Sequence, residues 1–442
     1  MNHDKGIPGV AARTRAGLIV LASLIFLGVG MTGSAAAQLS FSSSSAFSTG
    51  DFPNALTTGD FNGDGRQDIA TANRLTNDMS VLLGNGSGGF GNPKNFIVPG
   101  NQPMSIDAGD FNRDGVRDLA VLSFTSEVAI YLGTGTGSFA QTVVVVAGAS
   151  GQQLTIADVN DDARQDLIVA NGFGGVSVML GTGNGGFAAS VQFAAGGGPN
   201  AVTTADFNRD GRRDIAVANA SSNNVSILLG NGNGTFALPV DFVVAAAPNS
   251  ITASDFNGDG NPDLATAHEG SNSNSVLLGT GTGSFAAATD VPTSPQTASI
   301  ISRDLDGDGN QDLATVSQGP ESSIAIVLGT GTGTFLPARA FGVGILPYAV
   351  AAADFNNDGS LDLASANMIS DDVSVILNSP TADPSVSGIT FGSVAMESNA
   401  GPQQLTVTNN GSASLKVRGF SFDGINPGDF DTGATTCQQD IV

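Results

Sequence analysis

The chain has 442 residues, 40% hydrophobic and 13% charged, a composition of globular rather than disordered proteins. Its 16 Lys and Arg against 40 Asp and Glu give a formal net charge of −24, which excludes nucleic acid as a natural partner because phosphate binding needs cationic side chains. The single cysteine, Cys437, excludes an internal disulfide, so something else must stabilise the fold.

The N-terminus reads as an export signal. Lys5, Arg13 and Arg15 precede an apolar run from Ala16 to Gly30, and Ser34-Ala35-Ala36-Ala37-Gln38 offers small residues for cleavage after Ala37. The alternative, a membrane anchor, meets a run that is short for a bilayer span. With residues 1–37 as a signal peptide, the mature chain is expected outside the cell or at its surface, without a transmembrane span.

From Gln38 to Asn378 one unit recurs. Its marker is Asp60-Phe61-Asn62-Gly63-Asp64-Gly65-Arg66-Gln67-Asp68, with further copies starting at Asp110, Asp158, Asp206, Asp255, Asp304 and Asp354, spaced by 50, 48, 48, 49, 49 and 50 residues. Side-chain oxygens stand at positions one, three, five and nine of each copy, and Gly at position six in all but one. Alternate oxygen donors with Gly at a sharp turn suit a hard cation such as calcium. Asp at positions one, five and nine gives 21 carboxylates and Asp306 makes 22, so more than half of the 40 acidic residues belong to these loops. An EF-hand is excluded because its twelfth position needs a bidentate Glu where the first copy has Thr71, and a nine-residue β-helix because its period does not fit.

In the second unit, Met104–Ala108, Leu119–Leu122, Val128–Leu132 and Thr142–Val146 are β-rich segments separated by turn residues, and none shows helical periodicity. Four strands in about fifty residues predict a propeller blade. Between the third and fourth segments runs a glycine-rich turn that ends in Phe. It occurs at Gly84–Phe90, Gly133–Phe139, Gly181–Phe187, Gly230–Phe236, Gly279–Phe285 and Gly329–Phe335. No helix or Lys-Ser/Thr follows it, which argues against a phosphate loop and for a hairpin whose Phe packs between blades. The seventh repeat stops at Val373–Asn378 without a fourth strand, whereas a spare segment, Leu39–Phe47, precedes the first loop. Pairing the two ends would complete seven blades and remove the open edges.

The pattern Asp-Phe-Asn-x-Asp-Gly-x-x-Asp-Leu-Ala followed by Leu-Gly-x-Gly-x-Gly-x-Phe resembles the FG-GAP/VCBS repeat family, which forms the seven-bladed propeller of integrin α chains; the resemblance covers roughly residues 38–378. It implies an all-β propeller with up to seven calcium ions, held by four side chains and the position-seven carbonyl of each loop. Carried over residue by residue, the sets are Asp60, Asn62, Asp64, Arg66, Asp68; Asp110, Asn112, Asp114, Val116, Asp118; Asp158, Asn160, Asp162, Arg164, Asp166; and Asp206, Asn208, Asp210, Arg212, Asp214. The last three are Asp255, Asn257, Asp259, Asn261, Asp263; Asp304, Asp306, Asp308, Asn310, Asp312; and Asp354, Asn356, Asp358, Ser360, Asp362. The third loop departs from the pattern with Ala163 at position six, where a positive φ suits Ala poorly, so this site is expected to be weak or distorted.

Beyond Asn378 the composition changes. Residues 379–384 read as a linker. Residues 385–442, with Thr408-Asn409-Asn410-Gly411-Ser412-Ala413, resemble the opening half of the immunoglobulin-like choice-of-anchor D or ASH module. The 58 residues after Pro384 are fewer than such a sandwich needs.

Catalysis finds little support. His3 lies in the signal, and His268 falls in a Ser/Asn-rich turn with no triad or Glu-His cluster around it. The expected function is a non-catalytic, monomeric binding or adhesion scaffold. A lectin-like propeller, or a module of a secreted polysaccharide-degrading system, is the alternative. With no Trp and only Tyr131 and Tyr348, stacking platforms for sugars are scarce. The loops between the second and third strands vary from blade to blade: Asn73–Asp78, Asn219–Asn224, His268–Asn274 and Gln318–Ser323. A protein or glycan partner is therefore expected on the face opposite the calcium loops, near Tyr348, His268 and Glu321.

Overall fold

The computed structural model describes residues Leu39–Ser379. The expected signal peptide, the linker beyond Ser379 and the immunoglobulin-like module, with Cys437, lie outside the described residues. Twenty-eight strands, and no helix among the described residues, form seven four-stranded antiparallel sheets. The first blade comprises Pro53–Gly59, Asp68–Asn73, Asp78–Leu82 and Lys94–Ile97, in that order outward from the axis. The second, expected from four segments, comprises Pro103–Gly109, Asp118–Ser123, Glu127–Gly133 and Phe139–Val146.

Burial peaks at the second strand of a blade and is lowest at the fourth. The second strand of every blade is buried along its whole length, so it carries small and apolar residues on both faces, as in Asp68-Ile69-Ala70-Thr71-Ala72-Asn73. The fourth strand is mostly exposed: Lys94–Ile97 turns only Phe96 inward, and the longer Phe139–Val146 turns in Phe139, Val143 and Val145. Seven apolar clusters make up the core, one at each junction between neighbouring blades. The Phe of each glycine-rich turn lies there as expected: Phe139 meets Phe61 of the preceding blade edge-on at 5.7 Å, and Phe90 meets Phe355 at 5.5 Å.

The spare N-terminal segment closes the ring. Strand Ser45–Ser48 pairs antiparallel with Asp372–Ile376, placing Ser45 opposite Val375 and Ser48 opposite Asp372, and completes the seventh sheet. The contact continues outward through Ser42 N–H to Leu377 O (2.8 Å) and a bridge between Phe41 and Asn378. Leu39 is buried between blades six and seven, and its carbonyl accepts from Arg339 (2.8 Å).

Candidate metal centre

Each acidic loop joins the first strand of a blade to the second, and its hydrogen bonds come from its own sequence. In the first loop Asp60 Oδ1 accepts from Gly63 N–H (2.7 Å) and Asp64 N–H (3.1 Å), and Oδ2 from Gly65 N–H (2.8 Å). Asn62 Oδ1 accepts from Asp64 N–H and Asp64 Oδ1 from Arg66 N–H, both at 3.0 Å. These bonds wind the loop into a tight coil around the side-chain oxygens that accept them. The coil needs positive φ at positions four and six, which Gly63 (74°) and Gly65 (79°) supply.

Position nine has a second task that the motif does not announce. Asp68 is fully buried; its Oδ2 accepts from Phe61 N–H (2.9 Å) and its Oδ1 from Gly84 N–H (2.7 Å), tying the acidic loop to the glycine-rich turn of the same blade. Asp118, Asp166, Asp214, Asp263 and Asp312 do the same to Gly133, Gly181, Gly230, Gly279 and Gly329. The glycine turn then reaches the blade before it: Gly137 N–H donates to Phe61 O (3.0 Å) and Gly185 N–H to Phe111 O (2.9 Å). The acidic loops and glycine turns therefore share one face of the disc.

Blade seven lacks the turn, and Asn378 replaces it. Its N–H donates to Asp362 Oδ1 (2.7 Å), and its Nδ2 donates to Leu305 O (2.7 Å) of blade six. In the sequence Asn378 marks only the end of a repeat. Asn378→Ala leaves Leu305 O buried without a donor and is expected to cost about 1–3 kcal/mol. Chemical denaturation measures it, and an unchanged midpoint would show the junction does not depend on this amide.

Among the described residues the sixth loop alone gathers three carboxylates as a hard divalent cation requires. In the sixth loop carboxylate oxygens of Asp304, Asp306 and Asp312 lie within 4.8 Å of one another. Calcium–oxygen distances of about 2.3–2.6 Å put ligands on opposite sides of an ion about 5 Å apart. The position-nine carboxylates are short of positive charge: burial, with repulsion from Asp64 and Asp60 added, overcomes two backbone hydrogen bonds and pushes Asp68 up to about 6. Burial likewise moves Asp166 and Asp263 to about 6, and Asp312 and Asp362 to about 7. Burial and then Asp308 raise Asp306 to about 6. An ion among these oxygens would reverse the repulsion, and each oxygen that accepts one N–H keeps a lone pair for it.

The third loop keeps the shared geometry: Ala163 N–H donates to Asp158 Oδ2 (2.7 Å), with Ala163 held at φ 61°. The departure is strain at that residue rather than a different loop path. Ala163→Gly should stabilise the chain by about 1 kcal/mol, although glycine usually loosens a chain. A lower melting temperature for this variant would refute it.

One expected partner contact is corrected. His268 ends the strand Asp263–His268, fully buried, with Nε2 2.9 Å from Thr266 Oγ1. Burial lowers its pKa to about 4, so it is neutral at neutral pH and faces no partner. Tyr348 is half-buried on an innermost strand, and burial raises its pKa. Tyr131 is buried, donating to Ile97 O (2.5 Å). Glu321 is exposed, as expected.

A profile of the FG-GAP-like repeat matches residues 60–121, 158–217, 206–266, 255–315 and 304–365. The chain belongs to the FG-GAP-like repeat family. No curated protein matches it. Among solved structures, a chain of the BBS1N–ARL6DN complex soaked with lead is similar to this FG-GAP-like propeller (TM-score 0.57, 11% identity, 78% of this chain and 99% of that one). So are the BP39L lectin from Burkholderia pseudomallei (TM-score 0.55, 14% identity, 78% and 99%) and Sqt1 from Saccharomyces cerevisiae (TM-score 0.52, 11% identity, 78% and 98%). At these identities the likeness is one of fold.

Proposed function

We propose that the chain is an exported, calcium-stabilised FG-GAP-like propeller that serves as a non-catalytic binding scaffold at or outside the cell surface. The observation that carries this reading is the sevenfold recurrence of one hydrogen-bonded acidic loop with a buried, charge-deficient position-nine carboxylate. Residues so uniform serve a shared structural task, which leaves recognition to the faces that vary. Export would place the loops where calcium is plentiful. The neighbours in fold include a lectin and a chain crystallised with a protein partner, so both ligand classes suit the architecture.

The face opposite the loops favours a protein. Its turns on blades seven, one, two and three project Ile369 (56% exposed), Leu75 (62%), Phe124 (43%) and Phe173 (87%), a run on consecutive blades. Blades four to six present Ser221, Ser222, Glu269 and Glu321 instead. Scattered apolar residues need no explanation, but a run on one face marks a contact surface. The calcium-loaded chain, screened against exported envelope proteins and neutral glycans, should retain a protein. Leu75→Ser, Phe124→Ser and Phe173→Ser together should abolish that retention while folding persists. If binding survives them and is lost on changes in the glycine-rich turns, the face assignment is wrong.

A further inference from the structure

Cationic side chains are rare here and unevenly placed. Of the eleven Lys and Arg among the described residues, seven lie in the acidic loops of four consecutive blades, and all seven are exposed. Blade one contributes Arg66, blade two Arg113 and Arg117, blade three Arg164, and blade four Arg209, Arg212 and Arg213. The same loops of blades five to seven hold none; the nearest is Arg303, directly before the sixth.

The seven fall into two groups. Arg66, Arg164 and Arg212, at position seven, lie over the glycine turn of their own blade, where a Cβ on Gly86, Gly183 or Gly232 would come within 3.0–3.1 Å of the guanidinium stem. Each also sits 3.5–3.8 Å from the position-five carboxylate of its loop. The other four, at positions four and eight, have no carboxylate within ion-pair distance among the described residues. The loops of blades one to four hold thirteen carboxylates against these seven arginines, a net charge of −6. Four divalent ions would bring the arc to +2, while three would leave the ten carboxylates of blades five to seven at −4.

We infer that the loop face of blades one to four is a docking surface for an acidic polysaccharide, formed when calcium neutralises the loop carboxylates. It rests on the calcium reading above and is separate from the variable face. Charge complementarity selects the anion, and the ion taking the position-five carboxylates releases three guanidinium groups toward it. The turns between the arginines carry exposed amides and hydroxyls, Asn85, Thr134, Thr136, Thr182, Asn184 and Asn231, which suit a hydroxyl-bearing chain. Bases would lack a stacking platform, because the exposed Phe124 and Phe173 project from the other face. An acidic polypeptide such as polyglutamate would use the arginines but brings no hydroxyl groups of its own to the turn amides.

The test uses the full chain with dextran sulfate as probe, neutral dextran as control, and polyglutamate and single-stranded DNA of equal charge as competitors. Dextran sulfate should bind in calcium and be released by chelator, and neutral dextran should not bind. Arg113→Ser, Arg117→Ser, Arg209→Ser and Arg213→Ser together, none at a proposed ligand position, should weaken binding at least about tenfold with the calcium-loaded melting temperature kept. The same four changed to Lys should retain binding, which separates lost charge from lost fold. No binding in calcium, full binding by the Ser variant, or equal binding of polyglutamate or DNA overturns the inference. Melting decides the calcium reading separately: if chelator changes neither melting nor binding, that reading fails and the gating with it.

Discussion

Excess chelator should lower the melting temperature of this chain by about 10 °C if only three loops are filled, and by more if all seven are. The estimate starts from about 2.7 kcal/mol per site at a hundredfold excess of calcium over its dissociation constant. Three sites give about 8 kcal/mol, and an unfolding entropy of about 2.1 cal/mol/K per residue over the propeller converts each kcal/mol to between about 1 and 2 °C. The structure adds a pH signature. In the calcium-free chain burial raises the position-nine carboxylates from 3.8 to about 6 in Asp68, Asp166 and Asp263 and to about 7 in Asp312 and Asp362. A raised folded pKa means that the folded state holds protons the unfolded state has released, so stability falls as pH climbs from about 4 to about 7. The calcium-free chain should therefore melt higher at pH 5 than at pH 7.5, and saturating calcium should remove or reverse that order. Scanning calorimetry at both pH values checks it. Superimposable melts with and without chelator at pH 7.5 would end the calcium reading.

Deleting Leu39–Gly50 should destabilise the chain far beyond the size of the segment. The strand Ser45–Ser48 is the fourth strand of blade seven, and without it Asp372–Ile376 becomes a long unpaired edge. Phe47 would leave its edge-on contact with Phe90 (5.1 Å), Phe41 its contact with Phe341 (5.2 Å), and Leu39 its buried site. Full burial of an apolar side chain is worth about 1.5–3 kcal/mol, so the buried Leu39 and the partly buried Phe41 and Phe47 together account for roughly 3–5 kcal/mol. The freed edge should also recruit other chains. Sedimentation velocity should show concentration-dependent association of the deletion variant, and a peptide of residues 39–50 added in trans should restore a monomer. A deletion variant that is monomeric and melts normally would show that the ring closes without this strand.

Periodicity made most of the fold legible. The spacing of the acidic loops fixed the blade count, and the imbalance between seven acidic loops and six glycine turns located both the missing strand and its replacement. Repeats are readable in this way because every blade solves the same packing problem with the same residues. Local geometry within a loop was readable in part: the Gly at position six declares its positive φ, whereas at position four Arg113, Asp161, Arg209 and Asn357 adopt the same φ without a sequence signal.

Whatever depended on one blade meeting another was decided by tertiary structure. Position nine looks like one more ligand in the motif, yet only the folded blade brings Gly84 N–H to Asp68 and makes that carboxylate a buried tie. Asn378 gained its role because the ring closes beside Leu305, 73 residues earlier in the chain. His268 reads as a polar turn residue by its neighbours, but it is fully buried at the end of a strand enclosed on both faces. The arginines of blades one to four look scattered along the chain, and they become one surface only because the ring lays consecutive blades side by side. A one-dimensional pattern carries what each residue asks of its near neighbours; burial and long-range partners follow from the packed ring.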